Sequence, residues 1–352
     1  MAHPLVLGIE TSCDDTACAV LDGEGRVLSS VVSSQLAAHR PYGGVVPEIA
    51  SREHLANWPA VSGEAIARAG ISIREVEVVA ATRGPGLVGA LLVGLSIGKA
   101  IAFAGDRPFH AVHHLEGHLY SPFLRPPGDP QPPELPPDRF LGLVLSGGHS
   151  SLFAVEEGTV STLAETRDDA IGEVFDKVGK RLGLAYPQGP KVDELAERGT
   201  PWAQRFPVSR FGETLDFSYS GLKSQALLEI ERLERIRGPI DLGADNEPPQ
   251  AVLDLLAAFR EAAVGQVLDR LERLHERRPF SLLAVSGGAA ANRLLRRELP
   301  AWAERRGVDL RLVPLIYSGD NAAMIAHAAL LRQRRGLTDD PFAAEAESRI
   351  PI

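Results

Sequence analysis

The most constraining feature of this sequence is a pattern of three short strands that occurs twice. In each occurrence an apolar strand ends in a small, polar turn, and two further strands follow directly. Helices and more strands come after each triplet. The predicted strands of the two triplets lie at 5–9, 17–21, 27–33, 140–145, 151–155 and 159–164. This repetition predicts an α/β fold of two similar lobes with a cleft between them.

Length and composition agree with two lobes. The chain has 352 residues, of which 44% are hydrophobic and 24% are charged, enough for a core in each lobe. Seven prolines crowd residues 125–138, which we predict to be a linker. The predicted lobes are 1–124, with a C-terminal return at about 310–352, and 139–309. A second irregular insertion is predicted at 238–249.

Charge and cysteine content narrow the class of protein. Cys13 and Cys18 are the two cysteines of the sequence, which excludes a disulfide framework and favours a reducing, cytoplasmic location. The longest apolar run, 86–105, is interrupted by Lys99 and rich in glycine, so we interpret it as a buried helix rather than a membrane span. The net charge of −9 argues against a protein that binds nucleic acid unaided. The segment 260–311 is locally basic, which predicts either a basic face or an ordinary solvated helix surface.

Two histidines four residues apart, His114 and His118, follow the apolar strand predicted at 109–112. On a helix this spacing places both imidazoles on one face, where they can chelate one transition metal. The alternative is a half-buried helix face without a metal. We expect the pair to be accessible to solvent inside the cleft. Asp320 stands just before the helix predicted at 322–332, a position where aspartate is often only a cap.

Three glycine-containing turns follow predicted strands, at 83–86, 146–148 and 286–288. Such turns let backbone amides approach a phosphate or ribose because no Cβ intervenes. The second and third turns share the sequence Ser-Gly-Gly, and Asn292 lies just beyond the third, where it can hydrogen-bond a ribose or a base. The alternative for each turn is a plain connection between a strand and the next element.

Eight motifs occur in a fixed order along the chain. They are Gly8-Ile9-Glu10-Thr11-Ser12-Cys13-Asp14, Gly43-Gly44-Val45-Val46-Pro47-Glu48, Gly84-Pro85-Gly86-Leu87-Val88-Gly89, His113-His114-Leu115-Glu116-Gly117-His118, Leu145-Ser146-Gly147-Gly148-His149, Phe175-Asp176-Lys177, Ser218-Tyr219-Ser220-Gly221-Leu222-Lys223 and Asp320-Asn321-Ala322-Ala323-Met324-Ile325-Ala326. With these motifs nearly the whole chain resembles the tRNA N6-adenosine threonylcarbamoyltransferase family, represented in bacteria by TsaD.

The resemblance implies an actin-like fold, that of the sugar-kinase, Hsp70 and actin superfamily, with the nucleotide in the interlobe cleft. It implies that His114, His118 and Asp320 bind one divalent metal, with Fe(2+) foremost and Zn(2+) the alternative. It also implies a loop on the phosphate side at Glu10 and Ser12. We expect metal and nucleotide binding to be coupled, because each site would join the two lobes. The residues implied to hold the adenylate are Val144, Leu145, Ser146, Gly147, Gly148, Asp176, Gly189, Asp193 and Asn292.

The implied reaction moves the threonylcarbamoyl group from threonylcarbamoyl-AMP to the N6 amine of adenosine 37, in tRNAs that read codons beginning with A, and releases AMP. A metal would polarise the carbamoyl carbonyl, since an aryl-type amine is a poor nucleophile. The resemblance also implies a TsaB-like paralogue and a TsaE-like ATPase as partner subunits, and a separate synthase that supplies the adenylate. A partner would help a chain with a net charge of −9 to hold tRNA.

Two other classes of protein remain as alternatives. In a zincin metallopeptidase the general base directly follows the first metal-binding histidine, but Leu115 holds that place and Glu116 comes one residue late. A sugar kinase or a non-catalytic ATP-binding scaffold of the same fold needs no pair of histidines at this spacing. Peptide cleavage by the metal-loaded protein and the metal content of the purified protein distinguish these classes.

Overall fold

The computed structural model describes residues 4–201, 206, 208, 212–243 and 246–352. The chain divides into two compact units, the first containing Met1–Pro137 and Val313–Ile352 and the second containing Asp138–Leu312. The proline-rich stretch before Asp138 therefore groups with the first unit. Within that unit the Arg125 carbonyl accepts a hydrogen bond from the Tyr317 hydroxyl.

The first unit begins with three strands, continues with alternating helices and strands, and ends with a helix. Its strands are β1 (Val6–Glu10), β2 (Asp15–Leu21), β3 (Val27–Ser34), β4 (Val78–Gly84) and β5 (Phe109–His113). Its helices are α1 (Leu36–His39), α2 (Pro47–Ala69), α3 (Val88–Ala104), α4 (His114–Tyr120) and, after the second unit, α10 (Ala322–Arg334). Helix α2 begins earlier than the predicted residue 51, because Pro47 suits the first turn of a helix.

The second unit repeats the same kinds of element. Its strands are β6 (Arg139–Leu145), β7 (Ser150–Glu156), β8 (Thr159–Ala164), β9 (Leu282–Ser286) and β10 (Asp309–Leu312). Its helices are α5 (Ile171–Arg181), α6 (Gly189–Ala196), α7 (Ser220–Arg237), α8 (Gln250–Arg277) and α9 (Arg293–Arg306). A 3-10 turn, Gly288–Ala291, follows β9. The described residues of the predicted insertion, 238–243 and 246–249, contain neither helix nor strand.

Each unit contains a five-stranded sheet, and the two sheets have the same topology. Their strand orders are β3-β2-β1-β4-β5 and β8-β7-β6-β9-β10. In both sheets the first strand along the chain is central, pairs antiparallel with the second and pairs parallel with the fourth. The duplication predicted from the two strand triplets is confirmed.

Small residues allow the last helix of the first unit to pack closely. A Cβ on Gly8 of β1 would lie 2.3 Å from the Ala322 carbonyl oxygen, and a Cβ on Gly117 of α4 would lie 3.0 Å from Ile325. Because neither glycine has a side chain, α10 lies directly against both β1 and α4. This packing brings the residues just before α10 to the helix that carries the two histidines.

Helix α3 corresponds to the glycine-rich apolar run. A Cβ on Gly94 would lie 2.3 Å from Thr11 Oγ1, so the closely packed helix predicted for this run is confirmed on its inner face. On its outer face Val88, Leu92 and Phe103 are exposed. Among the described residues, no helix combines the length and the apolar character needed to cross a membrane.

Candidate functional site

The histidine motif forms the end of β5 and the short helix α4. His113 caps this helix, because its Nδ1 accepts a hydrogen bond from the Leu115 amide at 3.1 Å. Its Nε2 donates to the Ile350 carbonyl at 3.1 Å, which fixes the ring. The four-residue spacing brings the rings of His114 and His118 to a centroid distance of 4.8 Å. The helix predicted from this spacing is confirmed.

Asp320 faces both histidines. Its Oδ1 lies 3.5 Å from His114 Nε2 and 3.3 Å from His118 Nε2, and one ligand atom from each residue lies within 4.8 Å of the others. Ligands about 2.1 Å from a tetrahedral ion are roughly 3.4 Å apart, so the spacing suits a first-row divalent metal. The buried Nε2 of His118 faces the Asp320 carboxylate, and among the described residues it has no hydrogen-bond partner outside this group, as expected for an atom placed to bind a cation. The three residues therefore fit a metal.

A buried carboxylate orients His114. Glu10 is fully buried at the end of β1, and its Oε2 accepts hydrogen bonds from His114 Nδ1 at 3.1 Å and from the Thr82 hydroxyl at 2.6 Å. Because a carboxylate only accepts, Nδ1 carries the proton and Nε2 is left to face Asp320.

Glu10 and Ser12 were predicted to form a loop on the phosphate side, but both are buried. Glu10 Oε1 accepts from the Ser12 amide, and the Ser12 hydroxyl lies 3.3 Å from His114 Nδ1. Their polar atoms are thus directed at each other and at the histidine. These residues therefore support His114, and their place on the phosphate side stays a prediction.

Opposing charges control the protonation of the site. Burial lowers the pKa of His114, but the carboxylates of Asp320 and Glu10 outweigh it and raise that pKa to about 9. Burial raises the pKa of Glu10, and the neighbouring His114 reverses the shift, so that this pKa falls below its ordinary value. Burial lowers the pKa of His118. A cation entering the site would therefore displace a proton from His114.

The two histidines are less accessible than predicted. His118 is fully buried and His114 is 6% exposed, whereas we predicted a pair accessible to solvent inside the cleft. The more open side of the group is the side chain of Asp320, which is 25% exposed. Replacing His118 by alanine would leave a buried cavity as well as remove a ligand, so it would also lower the stability of the fold.

The capping alternative for Asp320 is wrong, because the next residue fills that place. The Oδ1 of Asn321 accepts a hydrogen bond from the Met324 amide at 3.0 Å, and its Nδ2 donates to the Tyr317 carbonyl at 3.2 Å. Asn321 is therefore the N-cap of α10. The carboxylate of Asp320 lies toward the histidines instead.

The glycine turn at 83–86 belongs to the fold, not to a ligand site. The Leu87 amide donates to the Ser12 carbonyl at 2.8 Å, and the Gly86 amide donates to the Ser348 carbonyl at 3.4 Å. A Cβ on Gly86 would lie 2.6 Å from the Ser12 carbonyl oxygen. The predicted phosphate or ribose contact does not hold at this turn, because its amides already bond protein carbonyls.

The two Ser-Gly-Gly turns lie side by side at one edge of the second sheet. Strands β6 and β9 are parallel neighbours, so the turns that follow them emerge at the same edge. Gly147 and Gly148 are exposed, and apart from each glycine and its two chain neighbours no atom of the described residues lies within 4 Å of where a Cβ would be. Gly287 has a φ of +92°, and a Cβ there would lie 2.2 Å from the Leu145 carbonyl oxygen, so glycine is required.

The remaining candidate adenylate residues bond one another. The Asp176 carboxylate accepts a hydrogen bond from the Gly189 amide at 2.7 Å, at the start of α6. The Asp193 carboxylate accepts from Asn292 Nδ2 at 2.8 Å, and the buried Arg260 donates to the Asp193 carbonyl at 3.1 Å. All the candidate adenylate residues belong to the second unit: Val144, Leu145, Ser146, Gly147, Gly148, Asp176, Gly189, Asp193 and Asn292.

Sequence reasoning missed the residues that hold the candidate ligands in place. Thr82 bonds Glu10, and Arg260 bonds Asp193. A faint signal exists for Thr82, which is a polar residue at the end of an apolar strand. Arg260 lies in a helix that also carries the half-buried Arg273 and the exposed Arg277, so its burial has no sequence signal.

Two kinds of sequence comparison give the same result. A family model described as TsaD, tRNA N6-adenosine threonylcarbamoyltransferase, matches residues 26–327. The tRNA N6-adenosine threonylcarbamoyltransferase of Pelobacter propionicus is 48% identical over 324 residues, covering 92% of this chain and 90% of that protein. That of Symbiobacterium thermophilum is 44% identical over 341 residues, covering 97% and 95%.

Solved structures resemble the chain in fold. HypF from T. kodakarensis matches with a TM-score of 0.61 at 16% identity, over 97% of this chain and 49% of that one. Component A of the Acidaminococcus fermentans (R)-2-hydroxyglutaryl-CoA dehydratase matches with a TM-score of 0.50 at 13% identity, over 94% and 98%. At such identities the likeness concerns the fold alone, and the predicted actin-like fold is confirmed.

Proposed function

This chain belongs to the tRNA N6-adenosine threonylcarbamoyltransferase family, and from that premise we propose its reaction in detail. It transfers the threonylcarbamoyl group of threonylcarbamoyl-AMP to the N6 amine of adenosine 37, in tRNAs that read codons beginning with A, and releases AMP. A tRNA substrate supports a cytoplasmic location for this proposed reaction. The observation that carries the proposal is the convergence of His114, His118 and Asp320 in a chain of this family.

The proposed reaction forms one carbon–nitrogen bond and breaks one carbon–oxygen bond. The amine nitrogen bonds to the carbamoyl carbon, the bond from that carbon to the phosphate oxygen of AMP breaks so that AMP leaves, and the proton lost from the nitrogen passes to water. The lone pair of the N6 amine is delocalised into the purine ring, so the acyl group has to be both activated and polarised. Its mixed anhydride with phosphate supplies the activation, and a divalent metal, when bound, supplies the polarisation as a Lewis acid.

His114, His118 and Asp320 would hold that metal, with Fe(2+) foremost and Zn(2+) the alternative. Three protein ligands leave coordination positions for substrate, which is typical of catalytic rather than structural sites. Two imidazoles and one carboxylate are also a donor set that suits Fe(II). Glu10 supports the group by keeping the Nδ1 proton of His114 in place.

The residues of the second unit are proposed to hold the adenylate. The amides at Gly147 and Gly148 would meet its phosphate, since there is open space beside these glycines and the Gly148 amide bonds the hydroxyl of Ser146 within the same turn at 3.3 Å, a bond that a phosphate oxygen would replace. Asn292 and the turn at 286–288 would meet its adenosine. Asn292 is already fixed between Asp193 and the Leu295 amide, so its orientation is set before a ligand arrives.

Partner subunits are part of the proposal, namely a TsaB-like paralogue, a TsaE-like ATPase and a separate synthase that supplies the adenylate. An exposed apolar surface on the first unit supports a protein partner. Leu55 of α2 and Leu92 of α3 are 61% and 49% exposed, on helices that touch where Gly89 meets Ser51. Exposed apolar side chains on adjoining helices are typical of an interaction surface.

The arginines of the locally basic segment 260–311 are largely buried or paired, which supports a role for a partner in tRNA binding. Arg260 and Arg270 are buried, and several of the other arginines form ion pairs, so this segment offers less free positive charge than its composition suggests. The pairs are Arg277–Glu213, Arg278–Glu156 and Arg306–Glu272.

The test uses purified protein, the partner subunits, threonylcarbamoyl-AMP and tRNA that lacks the modification. We expect threonylcarbamoyladenosine in the digested tRNA and stoichiometric metal in the active protein by elemental analysis. The His114→Ala variant should form no product while still binding AMP. Wild-type protein that is metal-loaded and supplied with its partners, yet leaves the tRNA unmodified, would contradict the proposal, and peptide cleavage by the same sample would favour a metallopeptidase.

A further inference from the structure

A chain of buried hydrogen bonds in the first unit connects Val46 to Cys13. The Val46 amide donates to His39 Nδ1 at 3.2 Å. His39 Nε2 lies 3.2 Å from Gln35 Oε1, and Gln35 Nε2 lies 3.1 Å from His54 Nδ1. At the other end His54 Nε2 lies 3.1 Å from the Cys13 carbonyl oxygen. The chain therefore joins the motif at 43–48 to the turn after β1.

The two backbone groups at its ends determine where every proton lies. The Val46 amide only donates, so His39 Nδ1 accepts and His39 Nε2 carries the proton. That proton bonds Gln35 Oε1, which leaves the Gln35 NH2 group to donate to His54 Nδ1. His54 therefore carries its proton on Nε2 and donates it to the Cys13 carbonyl, which only accepts. Both imidazoles are neutral, and each has one tautomer.

Burial makes this chain rigid. His39 and His54 are fully buried and Gln35 is 2% exposed. The Thr16 hydroxyl adds a further bond to His54 Nδ1 at 2.8 Å. Buried polar groups are costly unless they are paired, so each member holds the next one in place. Burial also lowers the pKa of His54, which favours the neutral ring that the chain requires.

The Cys13 end of the chain lies beside the candidate metal centre. Cys13 follows Ser12, whose hydroxyl lies 3.3 Å from His114 Nδ1. The backbone amide of Gln35 also holds Asp14, the residue after Cys13, because it donates a hydrogen bond to the Asp14 carbonyl at 2.9 Å. The two residues that follow Ser12 are thus held by the hydrogen-bond chain and by the backbone of Gln35.

We propose that His54 is a positioning residue for the metal centre, with Gln35 and His39 holding it in place. It acts through the Cys13 carbonyl, which sets the position of Ser12 against His114. The inference rests on the proposed function, because it takes His114 as a metal ligand. It gives the motif at 43–48 a role, since the Val46 amide determines the direction of the whole chain.

Two substitutions at His54 separate this role from simple packing. His54→Gln keeps an N–H donor near the position of Nε2, so it can still bond the Cys13 carbonyl. His54→Asn keeps an acceptor near Nδ1 but is too short to reach that carbonyl. The readout is the dissociation constant for Zn(2+), measured against a chromophoric chelator, with thermal unfolding of each metal-free protein as a check on folding. We expect His54→Asn to weaken Zn(2+) binding about tenfold, the lower end of the effect of outer-shell partners, and His54→Gln to bind nearly as tightly as wild type.

The matched control is His110→Asn, which removes another fully buried imidazole of the first unit, one that bonds Gln333. It should leave Zn(2+) affinity unchanged. Equal affinities in both His54 variants and wild type would overturn the proposal, and so would equal losses in both, because these assign His54 to packing alone.

If His54→Asn does not fold, His39→Gln and His39→Asn repeat the comparison at the other end of the hydrogen-bond chain, where only His39→Gln keeps a donor for Gln35. Wild-type protein that binds no Zn(2+) would overturn the proposed metal centre together with this inference, whereas a metal-binding wild type with indifferent variants overturns this inference alone.

Discussion

At the scale of residues, the two candidate histidine ligands are held in different ways. The Nδ1 of His114 donates a hydrogen bond to the Glu10 carboxylate, and its Nε2 faces Asp320. His118 is fully buried, and its Nδ1 has no hydrogen-bond partner among the residues that the structure describes. Histidine ligands usually donate their second N–H to an outer group, which sets the tautomer and raises ligand basicity. His114 is therefore the ligand whose strength the surrounding protein sets.

Replacing Glu10 by glutamine tests this assignment. The variant keeps the shape of the side chain but removes its charge, so the Nδ1 proton of His114 loses its strongest acceptor. We expect metal affinity to fall about 10–100-fold, as for other outer-shell partners of metal ligands. The measurement is a metal titration in the presence of a chelator. Glu116→Gln is a matched control, because Glu116 belongs to the same helix as the histidines but lies near Arg332 and Arg335. If Glu10→Gln binds metal as tightly as Glu116→Gln does, Glu10 does not support His114 as a ligand.

The adjacent residues Asp320 and Asn321 have separate roles, and one substitution at each distinguishes them. Asn321→Ala removes the cap of α10, so we expect the free energy of unfolding to fall by about 1 kcal/mol while metal still binds. Asp320→Asn keeps the cap and removes a charged ligand, so we expect a sharp loss of metal affinity. Urea unfolding of the metal-free proteins and metal titration give the two quantities. If Asp320→Asn binds metal as tightly as wild type, Asp320 is not a ligand and the two histidines hold the metal without it.

The sequence predicted the role of a single residue where its interacting partner lies close along the chain, and not where the partner is far along the chain. The histidine pair was visible because both members lie on one turn of one helix. The role of Glu10 was not, because His114 lies 104 positions away and a polar residue after a strand also suits a phosphate loop. Asp320 and Asn321 are both favoured caps by residue type, and the backbone at the start of α10 decides between them.

At the scale of elements, turns of similar composition do different things. The turn at 83–86 is covered by Ser12 and by the segment around Ser348, so its amides are already bonded. The turn at 146–148 ends β6 at an edge where Gly147 and Gly148 stay open. The sequence predicted three similar turns because composition describes the turn itself. Which of them is covered depends on segments that are distant along the chain.

The open space at Gly148 makes a direct test of ligand approach. In the part of the chain that the structure describes, a Cβ there meets no atom beyond its chain neighbours within 4 Å, so Gly148→Val should fold with little change in stability. A bound nucleotide would meet the new side chain, and we expect AMP affinity to fall at least about tenfold, or about 1.4 kcal/mol. Calorimetry with AMP measures it. Gly44→Val is a matched control, since Gly44 of the first unit has equally open surroundings; if both variants bind AMP as wild type does, the turn is not a nucleotide contact.

At the scale of the whole molecule, two sheets of one topology carry different groups of candidate residues. The repeated strand triplets predicted the duplication, and both sheets show the same strand order. The candidate metal ligands all belong to the first unit, and the candidate adenylate residues all belong to the second. The reason given for coupled binding was therefore wrong, because neither group of residues joins two units. Strand patterns define each sheet, but they do not show which sheet supplies each ligand.

This division predicts where each ligand should protect the backbone from hydrogen exchange. A ligand that binds the folded state suppresses local opening of the segments it contacts. We expect Zn(2+) alone to slow amide exchange in peptides covering α4 and the start of α10. AMP alone should slow exchange in peptides covering 145–149 and 286–293. The Asp320→Asn variant should lose the protection by Zn(2+) and keep that by AMP, since Asp320 belongs to the first unit. If AMP protects α4 as strongly as the second-unit peptides, and still does so in Asp320→Asn, the nucleotide contacts the first unit directly and the division of ligands between the two sheets is refuted.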